Sequence, residues 1–314
     1  MNPYSCTLYN CKSLRKLQGH LGLQKKSKFQ SLSIKLKDQP LNFYKSFKDK
    51  KGRKLFICSR IITSLHKQLM KLFNVEKPQY LKSGVKKESH ITNAKYHSAS
   101  NFFLLIDIKS FYPSITKGKI KKQLTSTYSQ SNQVAEFISN LVTVPQENTV
   151  NKRALVTGSP LSQSFAYLIN KKMLDELNSV SKKENIKFTV YVDDMTFSSK
   201  QVISYKFHTK IYNILTKYGY ATHLKGEKKN FRGKVGKKSK ITGIQITKYG
   251  FRLLKKHKDK IKQIIEKNEH ISRQKTLLGL VNFAIQVNPK YKKYKSLLKK
   301  HGKIQQNRVK NVPS

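Results

Sequence analysis

The chain has 314 residues, enough for one large domain or for two to three lobes with a sizeable core. Hydrophobic residues make up 37% of it and aromatic residues 10%, which excludes a wholly disordered polymer. Lys and Arg number 65 against 16 Asp and Glu, a net +49 that opposes folding by self-repulsion unless a polyanion lies beside it. Nucleic acid is such a polyanion, whereas a membrane partner is not expected, because the cations are spread along the whole chain and not gathered on one amphipathic helix.

The opening MNPYSCTLYNCKSLRKLQGH lacks the apolar segment of a secretion signal, and no apolar run approaches membrane-spanning length. Cys6, Cys11 and Cys58 form no CxxC pair and leave an odd thiol, so neither a disulfide framework nor a zinc site is expected, and a reducing cytoplasm fits. Residues 1–50 are basic and weakly periodic, which predicts short helices and loops. Ser64 to Asn74 places Leu65, Leu69, Leu72 and Phe73 on one helical face, with Ser64 as N-cap. Phe102 to Ile108 is a nearly continuous apolar run, as in a strand buried on both faces. Helices are predicted near 117–127 and 134–142, and a longer one over Leu161 to Val180 after the Gly158-Ser159-Pro160 turn. Lys187 to Val192 and Met195 to Ser199 read as a hairpin, followed by a helix near 203–218 ended by Gly219. Lys240 to Thr247 and Phe251 to Leu254 suggest a second hairpin. From Lys256 the chain reads as basic helices, with Pro289 opening the last. The order of elements is α+β, without internal repeats.

The scarcity of acids makes LLIDI and VYVDDMTF informative. A carboxylate inside an apolar strand is costly unless it is paired or binds metal. Asp107 alone could be a strand-end carboxylate paired with Lys109. Asp193 and Asp194 form the chain's sole Asp-Asp pair, at a predicted turn with no glycine to relieve it. Three such groups converging on one point would suit two Mg²⁺ ions, which take hard oxygen ligands and serve phosphoryl transfer.

TVYVDDMTF resembles the YxDD box of reverse transcriptases, and LLIDIKSFYPSI resembles the motif that carries their first metal-binding aspartate. VTGSPLSQSFAYLIN, between them, is similar to the segment that opens a helix beneath the nascent base pair. The resemblance implies a right-hand polymerase fold with fingers, a palm whose antiparallel sheet carries helices on one face, and a helical thumb. A basic extension and the start of the fingers would span 1–50, the fingers 51–101, the palm 102–254 with finger elements inserted near 117–155, and the thumb with its tail 255–314. It also implies that Asp107 and Asp193 bind both metals and Asp194 supports them. Tyr112 falls at the steric gate that selects deoxynucleotides. Arg53, Lys54, Gly158 and Ser159 fall where the family binds the incoming dNTP.

NAxxH at Asn93 to His97 and the element Ile241-Thr242-Gly243 resemble RNA-binding features of retron-type enzymes. That resemblance implies a cognate structured noncoding RNA as template and DNA synthesis primed from an RNA 2′-hydroxyl. The product is branched RNA–DNA (msDNA), with template removal by a host RNase H and anti-phage defence beside an effector protein encoded nearby. Thr157 and Gln163 depart from the usual pattern, and Gln163 resembles diversity-generating enzymes. The same residues leave room for a diversity-generating or group II intron-like enzyme, and for a non-catalytic RNA-binding scaffold on a polymerase fold. Among Lys225, Lys228 and Lys229, Lys228 is the expected general acid for pyrophosphate.

Overall fold

The computed structural model describes residues 5–50, 52–146, 152–222, 231–236, 239–266 and 274–295. The first helices are α1 (Leu14–His20), capped by the Ser13 side chain, and α2 (Lys26–Asp38), followed by a 3-10 turn at Pro40–Phe43. A hairpin of β1 (Tyr44–Lys48) and β2 (Lys54–Cys58) comes next. Sequence reading missed β1 because only Tyr44 of its five residues is buried, so no alternation is visible. Helix α3 (Arg60–Leu72) starts five residues earlier than expected, with Ser59, not Ser64, at the N-cap position. It buries Ile62, Leu65, His66, Leu69 and Leu72 as one stripe. Short α4 (His90–Tyr96) is held by a reciprocal capping box of Ser89 and Thr92.

Strand β3 (Phe102–Asp107) is followed by α5 (Lys117–Ser126) and α6 (Asn132–Val142), capped by Thr116 and Ser131. A small ladder of β4 (Thr143–Pro145) and β5 (Arg153–Leu155) leads to α7 (Ser162–Lys183), the longest described helix. The hairpin β6 (Lys187–Tyr191) and β7 (Asp194–Ser199) precedes α8 (Tyr205–Lys217), which Gly219 terminates at φ 72°. Then come β8 (Phe231–Lys234), β9 (Lys240–Ile241), β10 (Ile244–Thr247) and β11 (Gly250–Leu253). Helices α9 (Lys255–Glu266) and α10 (Gln274–Val287) follow, and Pro289 opens a 3-10 turn over Pro289–Lys292 instead of an α-helix.

The run Lys240 to Thr247 is two strands, not one. Thr242 and Gly243 both have positive φ, 43° and 89°, and form a two-residue turn that folds β9 back on β10. With β11 these make a three-stranded meander.

The four-stranded antiparallel sheet has the order β6-β7-β3-β8. Leu104, Ile106, Phe188, Val190 and Phe197 share the main core with α7 and α8. Phe103 and Leu105, on the opposite side of β3, join a second core with Ile91 and Ala94 of α4, the β9–β11 meander, α9 and α10. The sheet therefore carries helices on both faces, not on one as expected, and α4 is the element that covers the second face. Period 2 in FFLLI sorts the two sides, and the absence of any polar position before Asp107 is the mark of a strand covered twice.

Candidate active site

The three aspartates converge. Asp107 ends β3 and stands opposite Asp194 at the start of β7, while Asp193 occupies the turn between β6 and β7. One carboxylate oxygen of each lies within 4.8 Å of the others, and Asp107 is only 6% exposed. Ile108 N donates to Asp193 O at 3.3 Å, tying the turn to the strand that brings Asp107.

The turn is strained. Its residues are Val192 and Asp193, and Val192 sits at φ 61°, which a β-branched side chain rarely adopts. Its N–H is satisfied by Ser83, whose Oγ accepts at 3.0 Å. Strain of about 1–3 kcal/mol at such a position persists only where the surroundings over-determine it. Here Lys82 N donates to Val190 O and Val190 N to Tyr80 O, so residues 80–83 brace the end of β6 that leads into the turn. No motif in the sequence pointed to Ser83.

Three like charges this close raise the cost of ionisation unless positive charge joins them. The donor set is all carboxylate oxygen, so it fits a hard divalent cation and not zinc or copper.

Tyr112 lies half-buried beside this cluster. Burial pushes its hydroxyl up to about 12, and the Asp193 charge adds to the shift. Its ring leans on Phe111 (centroids 5.4 Å apart), which leans on Tyr220 (6.0 Å). Lys109 N donates to Ala221 O and Ile108 bridges Thr222, while Phe231 pairs with Leu105. Residues on both sides of 223–230 are thus anchored on β3 close to Asp107. Lys225, Lys228 and Lys229 lie outside the described residues.

Gly158 is required by close approach. It has φ 105°, and a Cβ there would stand 2.9 Å from Phe56 O of β2, while Phe56 N donates to Thr157 O at 2.8 Å. Ser159 turns inward and is buried. Its Oγ bonds His66 Nδ1 at 2.7 Å, and His66 Nε2 bonds Leu141 O at 3.0 Å. His66 is held neutral, its pKa lowered by burial to about 4. Neutral imidazole carries one N–H, so Nε2 donates to the carbonyl and Nδ1 accepts from Ser159. The expected nucleotide contact of the Ser159 side chain is corrected accordingly: its hydroxyl anchors the turn to α3. His66 was also missed, although it falls four residues after Ile62 and three before Leu69 on the buried stripe.

Arg53 sits in the β1–β2 loop, exposed, and its guanidinium meets Asp49 at 2.7 Å. Lys54 Nζ lies 5.7 Å from the Phe56 ring centroid. Gln163 lines a small cavity together with Ser83, Phe111, Val192 of the β6–β7 turn and Met195.

Asn93 and His97 are both fully buried, which corrects the expectation that they touch RNA. His97 Nδ1 meets Ser198 Oγ at 2.7 Å, and Nε2 meets Thr189 Oγ1 at 2.8 Å. Thr189 Oγ1 donates to Asn93 Oδ1 at 2.6 Å, and Ser100 Oγ lies 2.8 Å from Ser198 Oγ. Burial, with Lys187 and Lys82 adding, lowers the His97 pKa to about 3, so the ring is neutral. The proton directions follow. Thr189 spends its hydrogen on Asn93, so it accepts from His97 Nε2–H. Ser198 then donates to Nδ1, and Ser100 to Ser198. The motif pins α4 to the back of the β6–β7 hairpin.

Ile241 is likewise buried, and Thr242 Oγ1 donates to His90 O at 2.7 Å. Ile241, Thr242 and Gly243 therefore dock the meander on the first turn of α4. The expected RNA contact is corrected for the Ile241 side chain, which is buried, whereas Thr242 and Gly243 are half-buried. Among the described residues, no helix is long and apolar enough to cross a membrane.

Residues 46–246, more than half of the chain, match the family model described as reverse transcriptase (RNA-dependent DNA polymerase). The chain is 27% identical to the Retron Se72 reverse transcriptase of Salmonella heidelberg (strain 579083-10), over 65% of this chain and 52% of that relative. It is 27% identical to the Retron Ec86 reverse transcriptase of Escherichia coli, over 72% of this chain and 69% of the relative. A shorter match, 28% identical over 35% of this chain and 25% of the relative, links it to the Retron Mx162 reverse transcriptase of Myxococcus xanthus. The matched part spans about half the length of the first of these. The chain belongs to the reverse transcriptase (RNA-dependent DNA polymerase) family, and the relatives it matches are of the retron type.

Proposed function

We propose that this chain is an RNA-directed DNA polymerase of retron type, copying part of a cognate structured noncoding RNA into DNA. The observation that carries the reading is the cluster of Asp107, Asp193 and Asp194, three carboxylates with oxygens within 4.8 Å on a braced, strained turn. Asp107 and Asp193 would hold two Mg²⁺ ions, with Asp194 in support. When bound, such a pair makes the attacking hydroxyl more acidic and neutralises charge on the departing oxygen of an in-line displacement. The protein's own part is placement: Ser83 fixes the turn, and Ile108 N locks it to β3.

Tyr112, half-buried and backed by Phe111, would lie under the sugar and exclude a 2′-hydroxyl, selecting dNTPs. Lys54 and Arg53 would meet the triphosphate, Arg53 sharing its charge with Asp49. The fingers, palm and thumb are assigned to 51–101, 102–254 and 255–314. The β9–β11 meander packs in one core with α9 and α10, so the palm's last strands and the thumb form one packing unit. Priming from an RNA 2′-hydroxyl, an msDNA product, template removal by a host RNase H, a cytoplasmic setting and a defence role beside an effector complete the reading.

Primer extension on an RNA template with Mg²⁺ and dNTPs tests the polymerase. Absence of extension by the wild type, or equal extension by Asp193→Asn, overturns it. Nucleic acid extracted from the purified protein tests the retron type, which requires DNA joined to RNA through a 2′–5′ branch.

A further inference from the structure

Residues 1–37 hold eight Lys and Arg and no Asp or Glu, and α1 and α2 precede the stretch that matches the polymerase family. Between these two helices lies an open groove. Leu23 and Phe29 form its apolar floor, Gln24 and Gln30 reach it from α2 and the turn before it, and Arg15 and Lys26 stand at its rim. The floor is rigid, since Phe29 is 5% exposed and stacks on Phe137 of α6 with centroids 4.6 Å apart. The turn is fixed too, because Gln18 Nε2 donates to Leu23 O at 2.7 Å. Gly19 leaves the α1 side open: a Cβ built there meets nothing within 4 Å.

A flat apolar floor, amide edges that both donate and accept, and flanking cations make a site for a heteroaromatic ring joined to a phosphate. We propose that this groove takes an unpaired nucleobase of an RNA strand, with Gln24 and Gln30 facing the base edge and Arg15 and Lys26 facing the adjoining phosphates. The class of polyanion rests on the reading of the chain as an RNA-copying enzyme; the site itself does not. Its place outside the family's matched stretch makes it a grip on the template RNA distinct from the polymerase cleft. A bare phosphate site would have no use for the floor, and an apolar peptide would have none for the cations.

The full-length protein is titrated with single-stranded 12-nucleotide RNAs at fixed salt, followed by fluorescence anisotropy. In Gly19→Tyr the new ring fills the groove without a backbone clash, and binding weakens about tenfold, the range of one lost base stack. Gln24→Ala/Gln30→Ala weakens binding unequally among A-, C-, G- and U-rich strands, while extension of a preformed primer–template stays within twofold in both variants. Dissociation constants within twofold of wild type for both variants overturn the proposal. Equal weakening towards RNA and a polyglutamate probe also overturns it, because the groove would then select charge alone. A wild type that binds RNA with these sensitivities but extends no primer removes the polymerase reading and leaves the groove standing.

Discussion

The β6–β7 hairpin is polar at two places that obey opposite rules. At its turn, carboxylates of like charge crowd within 4.8 Å around a residue at positive φ. On its back, Thr189 and Ser198 join His97, Asn93 and Ser100 in a neutral chain in which each hydroxyl and ring hydrogen has an assigned destination. The first arrangement gathers like charges that a divalent cation would offset. The second lowers the free energy of the folded state and offers nothing to a ligand. Burial alone does not separate them; charge does, together with a chain that leaves only the buried Asn93 Nδ2 of these five side chains without a described partner.

The largest effect should come from breaking the turn's charge. Asp107→Asn and Asp193→Asn are each expected to lower primer extension on the order of 10³-fold or more. Their thermal midpoints in metal-free buffer should equal or exceed that of the wild type, because one repelling charge is gone. A large fall in midpoint would show that the aspartates hold the fold together and would erase the contrast. Next is the neutral chain. His97→Ala should cost about 3 kcal/mol in denaturant titrations, through a cavity and stranded hydroxyls, and Thr189→Val about 1–2 kcal/mol. RNA affinity per folded molecule should not move, and a selective loss of affinity would return Asn93 and His97 to the RNA surface.

Acid sharpens the same comparison. His97 and His66 titrate in the folded chain at about 3 and 4, below the unfolded value near 6.5. A lowered folded pKa means the unfolded chain binds more protons between these limits. The contribution is complete above about pH 6.5 and is lost as pH falls towards 4. Thermal midpoints should therefore drop from pH 7 to pH 5, and His97→Gln should flatten that slope; an unchanged slope would mean that the ring is not buried neutral. The smallest effect is at Thr242→Ala, about 1 kcal/mol for one hydrogen bond to His90 O, read by equilibrium unfolding.

Much of this was legible in the sequence where period and composition agree. The run FFLLID announced a doubly covered strand, and the missing glycine at VDD announced strain, seen at Val192. Helix α7 followed its leucine spacing. The pattern failed where polar residues go inside: Asn93, His97, Thr189 and Ser198 look like surface residues because their partners are far apart in sequence. It also failed at ITG, where a two-residue turn hides inside an apolar run, and at β1, whose exposed residues carry no alternation.

The docking of α4 has a consequence for how this region can vary. Five side chains, from α4, the loop after it and the β6–β7 hairpin, share one directed chain of protons, so tolerance is collective. Any single replacement strands a neighbour, whereas an apolar swap of the whole set can be nearly neutral. Substitutions at these positions should therefore show strong epistasis, drifting together or not at all, while the exposed lysines around them change one by one.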